Sequence, residues 1–248
     1  MSRTAAAAAG IRTATDATLA RGALQAPPTR RVRWRAARRI VPTRYPSIFL
    51  YDRVADAADF EALYALEALS NERIRDEIGD IALVAPGDRV FGPGSGPIMA
   101  SFTHLNPNGS RFSDGSWGVF YAAATRQTAI EETRYHHGRF LRATRQAPCH
   151  LSMRMYGVRI DAELNDLRGG ALELRAVHDP DSYAASRALA AALRSQGSAG
   201  VAYDSVRDPG GQCVGLFRPR GARECLHAAY LLYAWDGERI SAVYEHLG

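Results

Sequence analysis

Residues 115–141, GSWGVFYAAATRQTAIEETRYHHGRFL, change periodicity half-way along. The first part, 117–123, is a short apolar run that predicts a strand. Thr125 then offers a side-chain cap, and a helix is predicted from there to about residue 141. On that helix Ile130, Thr133, His137, Phe140 and Leu141 share one broad face. Glu131 and Glu132 each lie about 130° from its centre at about 100° per residue. Periodicity does not separate the two glutamates, and taken alone both read as surface charge.

Working upstream, 56–78 reads as a helix capped by Asp56 or Asp59, while 86–97 and 104–116 read as loops. FGPGSGP at 91–97 is glycine-rich, but no Lys-Ser or Lys-Thr follows it, so it is not a phosphate-binding loop. Downstream, 150–160 alternates as a strand with a slip near Tyr156-Gly157 that suggests a bulge. An Ala/Leu helix at 183–194 ends at Gly197. Strands at 201–203 and 214–217 flank a glycine-rich turn, and strands at 226–235 and 239–244 flank the hairpin signal Asp236-Gly237. Strands and helices mix without a regular βαβ rhythm, which predicts an α+β fold.

Charge divides the chain unevenly. All 31 basic residues are arginine, and residues 1–39 hold nine of them against one acid, Asp16, a net of 9 − 1 = +8. The remainder holds 22 arginines and 25 acids, 22 − 25 = −3. The body is therefore mildly acidic, which argues against a general nucleic-acid binder. Residues 1–33 are expected to be a disordered, basic, Ala/Arg-rich extension, with a folded domain over 34–248. The run RRVRWRAARR at 30–39 offers a nucleic-acid-binding module as an alternative, though a solvated start to the first strand fits it better. No apolar run is long enough for a membrane span or a secretory signal, and three widely spaced cysteines do not suggest a disulfide framework; a cytoplasmic protein is expected.

Few residues outside the 115–141 stretch point to chemistry by themselves. His136 and His137 are adjacent and point about 100° apart on a helix, so they do not form a metal pair with each other. Cys225 and His227 lack a second pair, and no metal is expected. Ser205, in GVAYDSVRDPGG, lacks the GxSxG elbow of hydrolases, and reads as a hydrogen-bonding residue rather than a nucleophile.

Four segments, in order, resemble the RES-domain family. They are ARRIVPTRYPSIFLYDRVAD (37–56) with Arg39-Ile40, GSRFSDGSWGVFYAA (109–123) with Arg111 and Tyr121, TAIEETRYHH (128–137), and GVAYDSVRDPGGQCVGLFRP (200–219) with Ser205. The family glutamate follows its strand tyrosine by eleven positions, which selects Glu132. Two departures stand out: Phe112-Ser113 where Trp-Asn is usual, and a segment at 56–90 that lengthens the gap between the first two motifs.

The resemblance implies a fold similar to the ADP-ribosyltransferases, with mixed and antiparallel sheets, a cleft, and here an extra N-terminal helical segment. It implies a toxin of a type II toxin–antitoxin system that cleaves the nicotinamide–ribose bond of NAD as an NAD phosphorylase or glycohydrolase. NAD is then substrate, no cofactor is needed, and inorganic phosphate or water is the acceptor; a mono-ADP-ribosyltransferase acting on a protein is the alternative. A cognate antitoxin, a homodimer within the complex, and nucleic-acid contact only through the antitoxin would follow. The implied catalytic residues are Arg39, Glu132 and Ser205, and the implied NAD-binding residues are Arg39, Arg44, Arg111, Tyr121 and Ser205, with Arg44 and Arg53 as rivals to Arg39 for the site arginine.

Overall fold

The computed structural model describes residues 26–45, 51–53, 56, 58–62, 78–170 and 174–246. Its longest strand, β3 (Cys149–Asp166), pairs antiparallel with β1 (Thr29–Pro42) along one edge and with β6 (Ala222–Trp235) along the other. The register of β3 on β6 shifts at Met155/Tyr156 and again at Gly157/Arg159, where the alternation of the sequence slips. β7 (Ile240–His246) continues outward from β6.

The other wing is built from β2 (Phe120–Ala123), β5 (Gln212–Leu216) and β4 (Gly200–Asp204). The order is β1-β2-β5-β4-β3-β6-β7, and β1 also pairs with β3. The expected mixed sheets are thus wings of one hydrogen-bonded sheet, of which five strands close on themselves. Closure rests on the Arg38↔Ala123 bridge and on the only parallel pairing among the described strands, β3 with β4 at Asn165↔Val201. With the helices packed on this sheet, this is an α+β fold.

The first strand starts at Thr29, so the expected domain boundary between 33 and 34 falls inside it. Val32 and Trp34 turn inward, and the intervening arginines meet acids on β3: Arg31 and Arg33 pair with Asp161, and Arg30 with Asp166. The charge of this stretch is offset in part by its neighbour strand, and the arginines are those of a solvated first strand. Residues 1–25 lie outside the described residues, as does most of the helix expected at 56–78; Asp56 does accept from the Ala58 and Asp59 amides, as a cap would.

α1 (Gly96–Thr103) was not expected from the glycine-rich sequence; it packs Ile98, Met99 and Phe102 under the sheet. α2 (Arg126–Ala143) starts at Thr125, whose hydroxyl accepts from the Thr128 amide, and buries Thr128, Ala129, Ile130 and Leu141. Phe140, expected on that buried face, is exposed. α3 (Ala184–Ser195) buries Leu189, Ala190 and Leu193 against the same core layer. No helix among the described residues is long and apolar enough to cross a membrane.

Candidate active site

Glu132 and Glu131 are neighbours with different surroundings. Glu131 is tied up on the helix surface by Gln127 and Arg134, both at 3.0 Å. Glu132 faces a cleft of about 540 Å³ that it shares with Arg39, Arg111, Tyr121, His136 and Tyr183. Only 18% of its side chain is exposed. Burial alone would raise its carboxyl, but the imidazole of His136 at 3.7 Å, the hydroxyl of Ser205 and the charge of Arg111 outweigh it, and the net shift is downward. Glu132 therefore enters the cleft as a carboxylate.

Ser205 holds this carboxylate in place. Its hydroxyl donates to Glu132 Oε1 at 2.6 Å and accepts from the amides of Arg207 and Asp208 at 3.1 and 3.0 Å. Its one proton and both lone pairs are committed, which suits an orienting group and not a nucleophile. One helical turn back, Thr128 donates to Asp208 at 2.7 Å, so the β4–β5 turn is fastened to α2 at two points. Gly211 makes this approach possible: a Cβ there would lie 2.6 Å from Thr128 Oγ1 and 2.7 Å from Asp208 Oδ2.

Arg39 reaches the cleft from β1. Its Nη1 donates to the Tyr121 carbonyl at 3.0 Å, its guanidinium lies 4.6 Å over the Phe120 ring, and its Nε is buried without an acceptor among the described residues. Burial lowers its pKa from the ordinary value, only partly offset by Cys225, Tyr156 and Tyr121. The Tyr121 hydroxyl contacts Ser110 at 2.8 Å and accepts from the Phe112 amide at 3.0 Å; burial pushes its phenol up to about 12, so it stays neutral.

Of the rivals to Arg39, Arg44 does not join this group. Arg44 lies past the end of β1, exposed, with its guanidinium on Tyr45, and it does not line the cleft. The side chain of Arg53 lies outside the described residues. Ser205 does not line the cleft either; it acts on Glu132 from behind.

Among the cleft residues that the sequence did not single out are His136 and Tyr183. His136 stands one helical turn after Glu132, a spacing visible in TAIEETRYHH once Glu132 is chosen. Tyr183, just ahead of α3, had no comparable signal. His137 is half-buried, outside the cleft, and pushed down to about 4 by burial and by the charges of His136 and Arg44. Cys213 and Cys225 are buried free thiols whose pKa values burial raises; that of Cys225 reaches about 12.

A second cavity of about 560 Å³ adjoins the first. It is lined by Pro42, Tyr45, Trp117 and Tyr156 among others, and shares Arg39, Val41, Ser110 and Tyr121, among others, with the Glu132 cleft.

A RES domain model matches residues 88–236, more than half of the chain, and the chain belongs to that family. The match takes in Arg111, Tyr121, Glu132 and Ser205; Arg39 precedes it and owes its place to the geometry of β1. The chain is 28% identical over 206 residues to the uncharacterized protein y4oC of Sinorhizobium fredii (strain NBRC 101917 / NGR234), covering 83% of this chain and 85% of that protein. A solved structure, the MbcT-MbcA toxin–antitoxin complex of M. tuberculosis, aligns over 88% of this chain and 86% of that one with a TM-score of 0.43 and 11% identity; nothing is transferred from so distant a likeness.

Proposed function

We propose that this RES-domain protein cleaves the nicotinamide–ribose bond of NAD and acts as the toxin of a toxin–antitoxin pair. The observation that carries the reading is a buried, ionised Glu132, oriented by Ser205, in a cleft whose other charged walls are arginines. The nicotinamide of NAD is a cationic leaving group; it departs neutral with the bonding electrons and needs no general acid. Positive charge then develops on the ribose, and a fixed carboxylate stabilises it. Water or inorganic phosphate adds to the ribose carbon and loses a proton, giving ADP-ribose or its phosphate ester.

Arg39 stands at the seam of the two cavities, where a guanidinium suits the pyrophosphate. The apolar cavity beyond it takes the adenosine end, against Trp117 and Tyr156. A cognate antitoxin would be needed for a cell to tolerate the enzyme. Inducing the chain alone in a bacterial host tests this: growth should stop as cellular NAD falls. Growth arrest with intact NAD, or unimpeded growth, would refute it.

A further inference from the structure

Arg111 does more than line the cleft. Its side chain is buried, with the whole residue 8% exposed, and its Nη1 donates to the carbonyls of Val177 and Asp179 at 3.1 and 2.9 Å. Among the described residues these are its only side-chain hydrogen bonds, and Nε and Nη2, which are not among the buried atoms left without a partner, stay accessible to solvent. The guanidinium lies 4.5 Å over the ring of Tyr183, and Arg187 lies 5.9 Å from the same ring. The Tyr183 hydroxyl is buried and has no partner among the described residues.

A buried hydroxyl without an acceptor and, beside it, a cation whose Nε and Nη2 make no hydrogen bond to the protein line one cleft, and together they suit an acceptor-rich anion. Tyr183 also stands at the N-cap of α3, where the helix dipole adds positive potential. The strap that carries Tyr183 is fixed from both sides, by Arg111 to Val177 and Asp179 and by Arg207, next to Ser205, to the Pro180 carbonyl.

We propose that Arg111 and Tyr183 form a phosphoryl-oxygen site beside Glu132, with the Tyr183 hydroxyl as a substrate-contacting donor. This rests on the NAD-cleaving reading for its role, though not for its existence. Two sources offer the same chemistry: inorganic phosphate arriving as acceptor, and the pyrophosphate of the dinucleotide.

Tyr183→Phe removes only the unpartnered hydroxyl. Thermal unfolding of the full chain would be followed with inorganic phosphate and, separately, with ADP-ribose, for wild type and Y183F. Without ligand the two should melt together. Weakening of phosphate binding by about tenfold, the weight of one hydrogen bond to a charged group, assigns the site to the acceptor. The same weakening for ADP-ribose alone assigns it to the dinucleotide. Equal binding of both ligands by the two proteins, or no binding of either by wild type, overturns the site. Nicotinamide release measured on the same wild-type sample separates the readings: ligand binding through Tyr183 without release keeps the site and sinks the cleavage, and release with unchanged binding in Y183F does the reverse.

Discussion

The cavity around Glu132 and the one around Trp117 share a wall at Arg39, Ser110 and Tyr121 and are close in size, yet they are lined by different chemistry. The Glu132 side gathers a carboxylate, four arginines (Arg38, Arg39, Arg111 and Arg139) and His136. The Trp117 side gathers Pro42, Tyr45, Trp117 and Tyr156, with Arg39 its only arginine. One sheet supplies both because β1 and β2 contribute side chains to each. On the proposed function this is a division of labour along one elongated ligand: charge where the bond would break, flat apolar surface where the base would be held.

That division can be broken at either end. Glu132→Gln should have the largest effect, lowering kcat for nicotinamide release by roughly 10²–10³, the usual weight of a charge placed at a transition state. Ser205→Ala should cost on the order of tenfold in kcat, one hydrogen bond to a charged group, and should also lower stability because the Arg207 and Asp208 amides lose their acceptor. Ala100→Trp, at the wall of the apolar cavity, should raise KM for NAD up to about tenfold and leave turnover of nicotinamide mononucleotide, which has no adenosine end, unchanged. The smallest effect on activity belongs to the fastening behind the site: Thr128→Val should cost about 2 kcal/mol in denaturant unfolding, one hydrogen bond to a charged group, with little change in KM.

Acidification tests the Glu132 environment as a whole. The folded-state pKa is lowered, so its contribution to stability is complete above the unfolded value, about 4.3 for a free glutamate, and is lost as pH falls through the folded value. Activity should persist down to that ordinary value and decline below it. A decline that begins well above it would contradict the arrangement.

The elements nearest the chemistry were readable from sequence in unequal measure. β3 announced itself by alternation and even by the position of its bulge, since inward side chains alternate whatever lies beyond. Glu132 was not visible from periodicity, because the helix is held on a second side by the β4–β5 turn through Ser205 and Asp208. Spacing within the family resemblance found it instead. α1 was hidden by its own approach: FGPGSGP reads as a loop, although Pro97 in the first turn is an ordinary way to begin a helix. The tie from Arg111 to Val177 and Asp179 joins residues far apart in sequence, and no local pattern predicts such a contact.

The central claim is that the Glu132 cleft breaks the nicotinamide–ribose bond. The most direct measurement incubates the purified chain with labelled NAD, with and without phosphate, beside Glu132→Gln. The account predicts free nicotinamide, with ADP-ribose or its phosphate ester, from wild type and little from the variant. Intact NAD with wild type, or equal release by both proteins, would contradict it.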